Sequence, residues 1–344
     1  MKSKFLFGII LLIFNTIVQA KTEPNMLRMT NKVTVGDYEF LGVTEVTTES
    51  SWDMMTDVAT LTVPKRLRWQ GKPLVIGDNP ILKKGNKVNI ELGYDDRNHK
   101  VFEGFATNIH ANLPLQIDCQ DEMWRLKKGT FVKSYRHVKL SELLKDMLKP
   151  LSIRYKIVAD HDLGMFRTKD NPSPAHVLDM LRKDYFVKFF FRNNILYVGL
   201  AYVAELQSEH TIKFNRHVVE NNLEYVKKED VKIKIRCIII KPNNKKEEFF
   251  VGDEDGEERT INKYNVSKAA MKILCEGEID RLRYDGYRGT LTIFGEPFIQ
   301  HGDIVRLIDD ENIDHEGRFL VKKVSRKFSQ NGYRQTIEIE GKVG

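Results

Sequence analysis

Gly85-Asn86-Lys87-Val88-Asn89-Ile90-Glu91-Leu92-Gly93-Tyr94 decides the fold class. Val88, Ile90 and Leu92 alternate with Asn89 and Glu91, so one face is apolar and the other polar. A period of two is the signature of a half-buried strand. The same pattern recurs upstream at Ala59, Leu61 and Val63, and downstream at Leu115, Ile117 and Cys119. Gly77-Asp78-Asn79-Pro80 and Asp95-Asp96-Arg97-Asn98 punctuate these runs as turns. Short strands separated by regular turns predict a barrel or sandwich.

The period changes after Lys127. Leu140, Leu143, Leu144, Met147 and Leu148 fall at helical spacing, and Pro150 stops the run. Ser173-Pro174 opens a second helix as N-cap and first helical residue. Val177, Leu178, Leu181 and Tyr185 form its stripe. Strands are expected at 187–191 and 195–200, with Arg192-Asn193-Asn194 as the turn between them. Alternation then returns at Ile233, Ile235 and Cys237. A helix is predicted from about Ser267 to Leu282, with Met271, Cys275, Ile279 and Leu282 on one face. Further strands are expected at 249–251, 259–262, 291–294, 304–308, 319–324 and 336–339.

The chain has 344 residues, enough for two or three domains, and its 41% apolar content argues against disorder. The net charge of +7 comes from 55 basic residues against 48 acidic ones, spread along the chain. This reads as a mixed solvated surface, so specific nucleic-acid binding is not expected. Tyr185, Phe186, Phe189, Phe190 and Phe191 could stack bases, but helix-end and strand packing accounts for them more simply. Lys2 and Lys4 precede an apolar run from Phe5 to Ile13, and Val18-Gln19-Ala20 offers a cleavage site, the pattern of a secretory signal. Alternatively, translation starts at Met26 or Met29. The run is short for a membrane span, and no stable span is expected elsewhere.

No catalytic signature is present. The nine histidines are scattered without ligand spacing, and there is no Walker loop, no Gly-x-Gly-x-x-Gly and no nucleophile elbow. No catalytic residue, metal site or cofactor is expected. Asp253-Glu254-Asp255-Gly256-Glu257-Glu258 fails as a calcium loop, because position 12 falls on Tyr264 or Val266. It reads as a charged hairpin tip, as does Asp309-Asp310-Glu311-Asn312. Cys119, Cys237 and Cys275 read as small buried hydrophobes. Their odd count argues against a complete disulfide framework.

Three stretches together resemble a known family. The first comprises Ser51-Trp52, Ala59 through Val63-Pro64-Lys65, Gly85 through Gly93-Tyr94, Val101-Phe102-Glu103-Gly104-Phe105, and Ile117 through Met123. The second runs from Pro174-Ala175-His176-Val177-Leu178 to Leu196-Tyr197-Val198-Gly199-Leu200-Ala201-Tyr202. The third comprises Tyr284-Asp285-Gly286-Tyr287-Arg288-Gly289, Gly295-Glu296-Pro297, Gly302-Asp303-Ile304-Val305 and Asn331-Gly332-Tyr333-Arg334-Gln335. In this order they resemble phage late-control D-type proteins, the baseplate hubs of contractile tails, and the hub half of type VI secretion VgrG spikes.

The resemblance implies a mainly β fold, with two tube-like β-barrel domains separated by a small α/β domain. The expected division is a leader over 1–25, a first barrel over 26–130, an α/β insert over 131–205, and a second barrel with one helix over 206–344. It implies a non-enzymatic structural subunit, a homotrimeric ring joining tail tube to spike. The partners would be the tail-tube protein, the spike protein and other baseplate subunits, at a tail tip assembled in the bacterial cytoplasm. The family-like positions are Trp52, Pro64, Gly93, Tyr94, Gly104, Gly199, Gly286, Tyr287, Gly295, Gly302 and Asp303. Two rival readings are a secreted or periplasmic β-rich binding protein and a tail-associated cell-wall hydrolase.

Overall fold

The computed structural model describes residues 27–40, 42–63, 68–69, 72–73, 82–110, 114–158, 160, 162–185, 187–199, 207–241, 245–312 and 315–343. Pro64, the 77–80 turn, His161, Phe186, Tyr202 and the leader lie outside them. Its first half contributes β1 (Met29–Val35), β2 (Tyr38–Phe40), β3 (Glu45–Ser51), β4 (Val58–Val63), β5 (Arg68–Trp69), β6 (Lys72–Pro73), β7 (Lys87–Tyr94), β8 (Arg97–His110) and β9 (Leu115–Gln120). The middle contributes β10 (Ser134–Lys139), β11 (Arg154–Ile157), β12 (Asp162–Arg167), β13 (Lys188–Arg192) and β14 (Ile195–Gly199). The remainder contributes β15 (Glu209–Lys213), β16 (Val218–Val226), β17 (Ile233–Ile240), β18 (Lys246–Gly252), β19 (Glu257–Tyr264), β20 (Gly286–Phe294), β21 (Ile304–Ile308), β22 (Gly317–Ser329) and β23 (Gly332–Val343).

The opening stretch is β7, and its alternation is the burial pattern: Val88, Ile90 and Leu92 are fully buried. β7 turns into β8 through Asp95 and Asp96, both at positive φ (50° and 63°). That is the two-residue turn whose twist suits a hairpin, and Asp tolerates it well. Gly93 is required beside it, because a Cβ there would lie 1.9 Å from the Arg97 carbonyl oxygen.

While β18-β17-β19 form a separate sheet, strands from both β regions join in one 13-stranded sheet. Its hydrogen-bonded order is β16-β20-β23-β22-β3-β4-β9-β8-β7-β1-β2, with β21 joining β22 and β15 joining β21. The junction is the antiparallel pair β22–β3, from Lys323 opposite Ser51 to Ser329 opposite Glu45. Each half keeps its own apolar core. Leu61, Ile90 and Ile117 belong to the first, and Leu291, Val305 and Ile337 to the second. Burying a side chain of this size contributes about 1.5–3 kcal/mol each.

Between the halves lies the α/β unit. Helix Leu140–Leu148 packs its apolar stripe, and helix Pro174–Tyr185 its Val177, Leu178 and Leu181, into one core with Phe189, Phe191 and Leu196. The Ser173 hydroxyl accepts from the His176 amide at 3.2 Å, so the expected N-cap is present. The fold is thus mainly β with an α/β unit between two β regions.

Four details differ from the sequence reading. Arg192 is not in the turn: it ends β13, and Asn193 and Asn194 alone make the turn, both at positive φ. Residues 253–256 are not a hairpin tip. β18 and β19 flank β17 on opposite sides, antiparallel and parallel respectively, so the segment crosses the start of β17. The crossing is pinned there, because the Asp253 carboxylate accepts from the Ile233 amide at 2.9 Å and a Cβ on Gly256 would meet the Ile233 backbone at 2.5 Å. At 309–312 the chain does turn between paired strands, yet Asp309 is buried and accepts from the Glu311 amide and the Tyr287 hydroxyl. Finally, Cys237 and Cys275 form a disulfide, while Cys119 is free and buried. Cys237 points inward from β17 and Cys275 from helix Lys268–Leu282, which packs over that strand. The two inward patterns converge on one core, separate from that of the main sheet.

Candidate functional site

The most elaborate polar arrangement lies where the two β regions meet the α/β unit. Gly302, at φ +84°, turns the chain so that Asp303 enters the interior ahead of β21. The Asn193-Asn194 turn holds Arg192 beside it. Arg192 Nη2 donates to Asp303 Oδ1 at 2.9 Å, Nη1 to the His301 carbonyl at 3.0 Å and Nε to Gln300 Oε1 at 3.2 Å. Asp303 Oδ2 accepts from the Gln300 amide at 2.8 Å and meets His210 Nε2 at 3.3 Å. Burial pushes the Asp303 carboxyl upward, but the His210 hydrogen bond and the Arg192 charge outweigh it and hold the pKa below its usual value. The pair has side-chain exposures of only 7% and 3%, so each charge depends on the other.

Next to this pair is a cavity of about 70 Å³, lined among others by Thr48, Asp57, Asp121, Arg192, His301 and Arg326. Asp121 is buried, and its carboxyl is pushed up to about 7 by desolvation. Asp57 is raised well above the usual carboxylate range by burial first and then by the Asp121 charge. Burial, with Arg192 and Arg326 nearby, pushes His301 down to about 3, so its imidazole is neutral. Arg326 reaches the Ile299 carbonyl and stacks over Phe298, 4.8 Å from the ring centroid. The His301 ring meets Phe190 edge-on at 5.5 Å.

A third contact closes the seam. Tyr94 Oη donates to the Tyr333 carbonyl at 3.1 Å and accepts from the Gly295 amide at 3.3 Å, joining β7 to the last β region. Gly295 must lack a side chain, since a Cβ would lie 2.0 Å from the Tyr333 ring.

The family-like positions therefore fall into groups. Tyr94 and Gly295 meet, and Gly302 and Asp303 share the Arg192 site. Trp52 packs with Phe190, Tyr197 and Leu320, with Lys188 Nζ 5.0 Å above its ring. Gly104 lets β8 approach β9, because a Cβ would lie 2.2 Å from the Gln120 carbonyl oxygen. Tyr287 stands apart and donates to Asp309 at 2.8 Å. Gly286 opens β20 against the Phe319 ring, and Gly199 ends β14 at φ +125°. Pro64 is outside the described residues. Sequence reasoning missed Asp57, Asp121, Arg192, His301 and Arg326 as a group, because nothing in their spacing announces a shared site.

Chemically the seam is a fastening. Its polar groups bond chiefly to one another and to backbone from all three regions. Phe189, Phe190 and Phe191 are buried and offer no stacking surface. Among the described residues no cluster of His, Cys, Asp or Glu is arranged to hold a metal ion, and no helix is long and apolar enough to cross a membrane.

No protein-family model matches the chain, and no curated protein matches it in sequence. Solved structures do match in fold. The 43 kDa tail protein of prophage MuSo2 from Shewanella oneidensis aligns with a TM-score of 0.62 at 15% identity, over 90% of this chain and 97% of that one. A tail protein from Neisseria meningitidis aligns with a TM-score of 0.66 at 13% identity, over 91% and 96%. The E. coli c3393 protein aligns with a TM-score of 0.57 at 8% identity, over 91% and 76%. It is described as a type VI secretion component with structural similarity to the T4 tail proteins gp27 and gp5. The chain shares the fold of phage tail proteins along almost its whole length.

Proposed function

We propose that this chain is a structural baseplate hub subunit of a phage or phage-like contractile injection tail. Three copies form a ring, one face matching the tail tube and the other seating the spike. The observation that carries this reading is the end-to-end fold likeness to two tail proteins, over at least 90% of this chain and 96% of each of theirs. The seam supports it, since a force-bearing adaptor benefits from β regions fastened into one sheet. The subunit is non-enzymatic and uses no cofactor, and its work is done by interfaces of the obligate class, above about 2,000 Å². It resides at the tail tip, assembled in the bacterial cytoplasm. The test is co-purification with the tube and spike proteins encoded beside it, paired with a peptidoglycan zymogram. Stable co-purification without lysis is expected. Clear lysis, or no affinity for either partner, overturns the reading.

One observation favours a second reading, an exported β-rich binding protein. Disulfides persist in oxidising compartments, and the Cys237–Cys275 bond agrees with the signal-like pattern of the first twenty residues. Amino-terminal sequencing separates the two: Lys21 as first residue supports export, and Met26 or Met29 supports the hub.

A further inference from the structure

Thr48 and Arg326 face each other across the β22–β3 junction. Both line the 70 Å³ cavity, as does His301 from the loop before β21. Thr48 Oγ1, Arg326 Nε and both ring nitrogens of His301 have no protein partner among the described residues. The three residues are 4%, 3% and 3% exposed, so bulk water does not reach these atoms freely. A buried polar atom left unpaired costs about 1–3 kcal/mol. Four around one cavity therefore identify a ligand site.

The donor inventory selects the ligand. Arg326 Nε only donates, a hydroxyl does both, and a neutral imidazole donates at one nitrogen and accepts at the other. A metal ion is repelled by the guanidinium. An anion only accepts, so it would leave the unprotonated imidazole nitrogen of His301 unpaired. Water both donates and accepts, and a cavity of this volume admits about two to five molecules.

We propose that this cavity is a hydration site, in which a small cluster of ordered waters bridges Thr48, His301 and Arg326. The cluster links the strand junction of the two β regions to the loop whose His301 carbonyl binds Arg192 of the α/β unit. It is a shared joint of all three regions.

The test is a crystal structure of the full chain at about 1.5 Å, with and without a bromide soak, together with the Thr48→Val variant. The expected result is water density within about 3.2 Å of Thr48 Oγ1, a His301 ring nitrogen and Arg326 Nε. In Thr48→Val the water on Oγ1 is lost, the others remain, and the melting temperature falls. An empty cavity in the wild-type chain overturns the proposal, as does an anomalous bromide peak on Arg326 or direct bonding among the three side chains. The wild-type density decides the matter even if the variant fails to fold.

Discussion

The Asp57 amide donates to Asp121 Oδ2 at 3.0 Å, and the Asp121 amide donates back to the Asp57 carbonyl oxygen at 3.1 Å. This reciprocal pair ties the start of β4 to the end of β9 and places two carboxyl groups in the same buried seam. Two ionised carboxylates cannot coexist there cheaply, so the folded state retains protons that the unfolded chain releases.

That retention gives the protein a pH dependence of definite sign. The Asp121 pKa is raised from 3.8 to about 7, and that of Asp57 is also raised. Between these values the folded state binds more protons, so this pair's contribution is greatest below about pH 4 and is lost as pH rises through 7. The slope is about 1.4 kcal/mol per pH unit for each displaced group. Asp57→Asn keeps an acceptor for the Ser51 amide and removes one titration. Urea midpoints from pH 4 to 8 should fall less steeply for this variant than for the wild-type chain.

His301 acts in the opposite direction. Its pKa is lowered from 6.5 to about 3, so between these values the unfolded state binds the extra proton. Stability is lost as pH falls through 6.5 and levels off near 3. Relative to His301→Gln, the wild-type chain should lose about 3 kcal/mol on going from pH 7 to pH 4. Denaturation of both proteins at the two pH values checks this.

Arg192→Ala leaves the Asp303 charge buried without its main partner and should cost about 3–5 kcal/mol. Arg318→Ala removes a surface pair with Glu209, whose side chains are 39% and 41% exposed, and should cost under about 1 kcal/mol. Chemical denaturation of the two variants side by side measures the contrast.

Glycine substitutions should split by position. Gly295→Ala drives a Cβ into the Tyr333 ring and should destabilise by about 1–3 kcal/mol. Gly277 lies in helix Lys268–Leu282 with nothing within 4 Å of an added Cβ. Gly277→Ala should therefore stabilise by about 0.5–1 kcal/mol. Thermal melts read both signs.

The Cys237–Cys275 bond closes a loop with a sequence separation of 38. Replacing both cysteines with serine should cost about 2–4 kcal/mol on the chain-entropy account. Reductant should lower the melting temperature of the wild-type chain and leave that of the double variant unchanged.

Much of the fold was legible because burial writes itself as a period. Val88, Ile90 and Leu92 declared a strand, and Met271, Cys275, Ile279 and Leu282 declared a helix face. Ser173 marked a helix start by capping chemistry that is local. What failed was non-local. Asp255-Gly256 looks the same whether the next strand pairs with β18 or crosses to the far side of β17. Arg192 beside two asparagines reads as a turn until Asp303, distant in sequence, arrives to bury it. Cys237 and Cys275 each showed an inward face, but their meeting depends on how the helix lies on the sheet. The seam was illegible for the same reason: Asp57, Asp121, His301 and Arg326 are isolated polar residues in sequence and become one site only in space.

Cryo-electron microscopy of the chain co-expressed with its neighbouring tube and spike proteins tests the central claim most directly. The hub reading predicts a three-subunit ring, with tube density on one face and a spike trimer on the other. A monomer that binds neither protein would contradict it.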